Sequence, residues 1–213
     1  MESSATREYL AKNLFPFTVE AVFILLALLQ VIPMIYLNFL FYLALIVYFA
    51  FRKEYSWTEW KRQLRADNFG KYFLNTAAII GIGFLLMTLV QNACPNLPLG
   101  EFSMKRDTPF TIFLFAVQTI LFPPLAEEMF YRKHLMVSNI GKGFTILTIF
   151  ISSLLFAAEH AIYPFGLASY MILGIAFAIA YLYCKNIYIL MTAHFVINLL
   201  GNGIPLILTL FKS

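Results

Sequence analysis

FPFTVEAVFILLALLQVIPMIYLNFLFYLALIVYFAF, residues 15–51, is one continuous apolar run. The hydrocarbon core of a bilayer is crossed by about 20 residues of helix, so the run is nearly twice too long for a single span. It needs a break, and QVIPMIY around Pro33 supplies one. Proline has no amide proton and clashes with the preceding helical turn, so a helix stops near it. The stretch predicts two membrane helices, 15–31 and 34–51.

The rest of the chain follows the same pattern. Of its 213 residues, 61% are hydrophobic and only 12% charged, with a mean hydropathy of +0.79. Soluble domains carry about 25% charged residues. The reading is therefore an all-α, polytopic membrane helix bundle of about seven transmembrane helices. Residues 1–213 are read as one integral membrane domain, with a motif-bearing core at 110–205. Further spans are expected at 72–90, from 110 to about 136, at 144–162, at 166–183 and from 187 onward. NIGKG (139–143) and YPFG (163–166) read as breaks, and Gly201, Gly203 and Pro205 interrupt the last span. Pro123 and Pro124 are expected to kink the fourth span and free backbone carbonyls toward a cavity. The N-terminus shows no cleavable signal, so the first span is expected to act as its own insertion signal.

Cys94 and Cys184 give neither a disulfide framework nor a thiolate metal site. The net charge of +4 comes from basic residues in the short segments between apolar tracts, which excludes a nucleic-acid reading. Placing 52–71 in the cytoplasm puts Arg7, Lys12, Arg52, Lys53, Lys61, Arg62, Arg65, Lys71, Arg132, Lys133, Lys142 and Lys185 on that side. Only Lys105, Arg106 and Lys212 fall elsewhere. This is the positive-inside asymmetry, with a cytoplasmic N-terminus and the two cysteines on opposite faces.

Ionisable side chains at bilayer depth cost about 2.5–3.5 kcal/mol each, so they carry a function or a partner. In this chain they are few. Glu127, Glu128 and Arg132 lie on the fourth span, Glu159 and His160 at the end of the fifth, and His194 with Asn198 on the last. Glu128 and Arg132, four apart, share a face and can pair. Glu127 is turned about 100° from Glu128 and can face another neighbour. Glu20 and His134 read as interface residues, Glu159 as an interfacial charge, and the many Phe and Tyr as lipid-facing packing and interface belts. No serine or cysteine stands beside an evident base, and no HExxH helix is present. What remains is water held between a carboxylate and an imidazole, the carboxylate acting as general base. An amide and a second imidazole could face the oxyanion. The same Glu and His residues could instead hold zinc or another divalent ion. The residues leave both mechanisms open.

EEMFYR (127–132), FAAEH (156–160) and HFVIN (194–198) resemble, in this order, the EExxxR, FxxxH and HxxxN motifs of the CPBP intramembrane proteases, also called Abi. That family includes type II CAAX prenyl endopeptidases and bacteriocin-immunity proteins. The resemblance implies Glu127 as general base on water and His160 as its partner on that water. It assigns His194 and Asn198 to the oxyanion, and Glu128 and Arg132 to positioning Glu127. A possible metal would take Glu127, His160 and His194. Lys133 stands where the family commonly has glycine. The implied activity is that of an intramembrane endopeptidase. Its partners would be membrane lipid and a peptide or lipidated-protein substrate, reached from the membrane or the cytoplasmic side. The expected location is a bacterial cell membrane, given the short chain and its Phe, Ile and Lys usage. Two rivals are a non-catalytic immunity or signalling-partner protein and a small ion-coupled transporter using Glu127 and the histidines.

Overall fold

The computed structural model describes residues 2–137 and 141–211. Its helices run in chain order as α1 (Glu2–Leu29), α2 (Met34–Phe51), α3 (Trp57–Leu64), α4 (Phe69–Ala93), α5 (Pro109–His134), α6 (Lys142–Ala158), α7 (Pro164–Cys184) and α8 (Ile187–Thr209). Among the described residues, all but α3 and α6 are long and apolar enough to cross a membrane. Helix α6 is apolar but has 17 residues, about 25 Å of rise against a core of about 30 Å. The outward faces confirm the class. Leu85, Leu86 and Leu89 on α4, and Ile146 and Phe150 on α6, are exposed, as lipid-facing residues are. The chain is an integral, multi-pass membrane protein.

The break at Pro33 is present. Helix α1 ends at Leu29, Gln30 turns with φ 52°, and Pro33 leads directly into α2. The charged segment that follows folds as α3. Its Ser56 side chain caps the Glu59 N–H at 3.2 Å, and no residue of the helix is buried. The Trp60 indole donates to Thr192 Oγ1 at 3.0 Å, fastening α3 across the end of α8.

Small residues set the spacing of the inner helices. A Cβ on Gly83 of α4 would lie 2.3 Å from Ala176 Cβ of α7, and one on Gly174 of α7 would lie 2.9 Å from Ser153 Cα of α6. These close approaches hold α4, α7 and α6 together without bulky side chains between them.

Helix α5 is not regular. Val117–Leu121 and Glu128–His134 are π-helical turns on either side of the two prolines, and α8 carries a third at Leu199–Gly203. Pro123 cannot donate to the carbonyl four residues back, that of Thr119. That carbonyl accepts instead from Asn202 Nδ2 of α8 at 3.2 Å. The expected freeing of a carbonyl is thus found, and a second helix takes it up.

The ends of α5 and α6 are staggered. Ser152 Oγ donates to the Tyr131 carbonyl at 2.8 Å, and the Val137 N–H donates to Thr148 Oγ1 at 3.3 Å. The first turns of α6 therefore project beyond the end of α5. Counted from the Tyr131–Ser152 level, Glu127 and His160 differ in depth by only about 6 Å. Counting from the loop near 143 would have separated them by more. Part of the NIGKG turn, Asn139 and Ile140, lies outside the described residues. Lys142 and Gly143 are already helical.

Candidate active site

Helices α2, α4, α5, α6, α7 and α8, with the segments 101–104 and 159–160, line a cavity of about 320 Å³. Glu127, His160, His194 and Asn198 all line it, so α5, the turn that follows α6, and α8 bring their polar groups to one space. Glu127, Glu128, Arg132, His160 and His194 are each held by identifiable contacts.

Glu127 is buried, and its Oε1 accepts the Tyr42 hydroxyl of α2 at 2.6 Å. Its Oε2 is buried with no protein partner. One oxygen is therefore fixed while the other remains able to accept. A Glu127 oxygen and a His194 ring nitrogen lie within 4.8 Å of one another, a gap that one water can bridge.

Glu128, one residue on, faces elsewhere, as the helical rotation requires. Its Oε1 accepts from His194 Nδ1 at 2.7 Å, and its Oε2 lies 3.8 Å from Arg132 Nε. Both partners of this ion pair are fully buried. A lone buried guanidinium would be costly. The Arg132 charge also lies over the rings of Phe156, Phe177 and Tyr131 at 4.9, 5.2 and 5.6 Å, and one nitrogen donates to the Gly174 carbonyl at 3.3 Å. The absence of a side chain at Gly174 lets α6 approach there while its carbonyl serves the arginine.

The two imidazoles are set in the same manner. His160 Nδ1 is 2.8 Å from the Phe156 carbonyl, which can only accept, so Nδ1 carries the proton. This fixes the role of the FxxxH spacing: Phe156 supplies both a carbonyl and a ring at 4.6 Å from the imidazole. His194 Nδ1 likewise donates to Glu128. Each ring is left with Nε2 for the cavity.

Two acids depart from the sequence expectation. Glu20 is not an interface residue but is 1% exposed, and Glu159 is buried at the cavity wall rather than an interfacial charge. The Tyr131 hydroxyl is hydrogen bonded to Glu20 Oε2 at 2.7 Å and also to Glu159 Oε1. Nor are the tyrosines all packing and belts, since Tyr42 and Tyr131 are buried partners of carboxyl groups. Sequence reasoning missed Tyr42. The available signal was Asn38, the lone amide of α2, one turn before it on the same face; both line the cavity. Lys133 binds Glu54, its Nζ 2.8 Å from Oε2, and His134 Nε2 lies 3.6 Å from Oε1. The residue that replaces glycine thus ties the end of α5 to the loop before α3.

Among the described residues, the ligand groups close enough to share an ion are Glu127, Glu128 and His194, all buried. His160 lines the same cavity but is not one of that set. Oxygen, oxygen and imidazole nitrogen suit zinc. Glu127 Oε2 has no protein partner, and Glu128 Oε2 makes no hydrogen bond and has only the Arg132 guanidinium 3.8 Å away.

Fold and site together define a multi-pass helical membrane protein with a buried Glu–Glu–His group beside a polar cavity. Residues 109–200 match a family model described as Type II CAAX prenyl endopeptidase Rce1-like, and the chain carries a domain of that CPBP (Abi) family. Comparison with curated proteins and with solved structures gives no match.

Proposed function

We propose that the protein is an intramembrane peptidase that hydrolyses a bond in a membrane-associated peptide or protein terminus, in peptide-signal processing or bacteriocin immunity. The carrying observation is the state of Glu127: Oε1 is held by Tyr42, Oε2 has no protein partner, and the carboxylate lies within 4.8 Å of a ring nitrogen of His194. Glu127 Oε2 takes a proton from a water that His160 Nε2 also accepts from. The water oxygen bonds to the substrate carbonyl carbon. Asn198, and His194 when its ring is doubly protonated against Glu128, donate to the oxygen that becomes negative. The C–N bond then breaks, and Glu127 passes its proton to the departing amine. Glu128 and Arg132 hold His194 and the α5 backbone in register. A divalent ion held by Glu127, Glu128 and His194 would lower the pKa of a bound water.

The test uses full-length protein in proteoliposomes with a library of internally quenched fluorogenic peptides. Wild type is expected to cleave members of the library. Glu127→Gln, His160→Ala and His194→Ala, at equal membrane abundance, should each lose about 10²–10⁴ of the rate. Equal cleavage by wild type and Glu127→Gln would overturn the reading.

A further inference from the structure

The cavity has a direction. Its rim is built from Met34 at the start of α2, Glu101 and Met104 between α4 and α5, Thr119 in the first half of α5, and Asn202 near the end of α8. All of these belong to one end of the bundle. No lining residue comes from 52–68, 135–142 or 185–186, the segments at the opposite end where the basic residues gather. The cavity thus opens on the face away from α3, which the positive-inside asymmetry makes the outer face of the membrane.

The rim also has a sign. Glu101, Glu127 and Glu159 line the cavity, and no Lys or Arg does so among the described residues. Lys105 and Arg106 follow on the same segment without lining the cavity, and the Arg106 guanidinium lies 4.5 Å over the ring of Phe115, which is itself a wall residue. Glu101 is exposed, yet it is not loose. Its Oε1 accepts the Tyr170 hydroxyl at 2.6 Å, and its backbone pairs with Ala161 in an isolated antiparallel bridge. The Ile162 N–H donates to the Gly100 carbonyl at 3.1 Å. Gly100 has φ +67°, and a Cβ on Gly166 would lie 1.9 Å from the Leu99 carbonyl, so both glycines are needed for the segment to lie this close. The structure holds a carboxylate at the mouth.

We propose that this site takes an internal, cationic segment of a peptide from the outer face, with Glu101 receiving its positive charge, and that it does not take a free C-terminus. The inference rests on the peptidase reading. A CAAX segment ends in a carboxylate. At the outer part of this wall that anion would meet Glu101 and no lysine or arginine, an arrangement penalised in a low-dielectric space. A lysine or arginine side chain meets the opposite situation.

Two experiments test it on the full chain. In intact cells, a membrane-impermeant maleimide should label Cys94, which ends α4 on the cavity face, and should label Asn96→Cys in a Cys94→Ser background. Arg65→Cys should react only after permeabilisation. The reverse pattern overturns the outer-face assignment. In phosphatidylcholine proteoliposomes, labelled peptides sharing one apolar core are then bound to Glu127→Gln protein, which reads the mouth without the chemistry. They carry Lys, Gln or Glu flanks, each as free acid and as amide. Lys-flanked peptides should bind about three- to tenfold more tightly than Glu-flanked ones, and amides at least as well as acids. Glu101→Gln should abolish the difference and Glu101→Lys should reverse it. Tyr170→Phe should weaken it, because the carboxylate is no longer held. Indifference to flank charge, or tighter binding of free acids, overturns the inference even if wild type cleaves peptides. Equal cleavage by wild type and Glu127→Gln instead removes the peptidase reading beneath it.

Discussion

The Tyr42 hydroxyl and Glu127 Oε1 lie 2.6 Å apart across 85 residues of sequence. A buried carboxylate with one oxygen so bound cannot rotate freely, and its second oxygen is left without a protein hydrogen-bond partner. Tyr42 comes from α2, outside the stretch that matches the family model, so the N-terminal half contributes directly to the candidate site.

Tyr42→Phe keeps the ring and removes this one hydrogen bond. A hydrogen bond to a charged group is worth about 1.5–3 kcal/mol. Hydrolysis should therefore slow about 10- to 100-fold in kcat, with KM unchanged and membrane abundance preserved. A change confined to KM would show that Tyr42 acts on substrate rather than on Glu127.

Arg132 is the largest fully buried side chain, and its carboxylate partner is Glu128. Breaking a buried pair by removing one member costs about 3–5 kcal/mol because the other charge remains. Arg132→Met should sharply lower the yield and thermal midpoint of detergent-solubilised protein. Combining it with Glu128→Gln should recover part of that loss. Additive losses in the double variant would mean the two charges are not coupled.

A third expectation concerns acid stability at the end of the bundle near α3. Partial burial works to raise the Glu54 carboxyl, but the hydrogen bond from Lys133, and the charges of Lys133, His134 and Arg52, outweigh it and hold the group below its ordinary value of 4.5. A lowered pKa stabilises the folded state above that ordinary value, and the contribution disappears as pH falls through the lowered one. The pairs are partly exposed, so their worth is about 0.2–1 kcal/mol. Lys133→Met should cost this much at pH 7 and little below the lowered value, as read by thermal unfolding at several pH values. An equal cost at every pH would rule out the linkage.

Metal binding has its own signature. An ion held by Glu127, Glu128 and His194 stabilises the folded protein by mass action. Added zinc should raise the thermal midpoint of wild type and of His160→Ala, but not of His194→Ala. A shift that survives His194→Ala would place the ion elsewhere.

Much of this was legible in the chain. Pro33 marked the first turn, and the spacings 127–128–132, 156–160 and 194–198 named side chains that do line or flank one cavity. What could not be read was pairing at long range. Glu20 looks interfacial by position, and only the fold brings it to Tyr131, 111 residues away. The depth of His160 could not be read either, because the overhang of α6 beyond α5 depends on Thr148 and Ser152 meeting a neighbouring backbone, which no periodicity encodes. Tyr42 was one aromatic among many, and only its Asn38 neighbour set it apart.

The Thr119 carbonyl, left over by Pro123, waits for Asn202, which the ribosome delivers 83 residues later. His194 and Asn198 arrive with that same final helix. A nascent or truncated chain therefore holds Glu127 and His160 without the imidazole and amide that α8 supplies. Insertion of α8 therefore completes two things at once, the hydrogen bonding of α5 and the polar lining of the cavity.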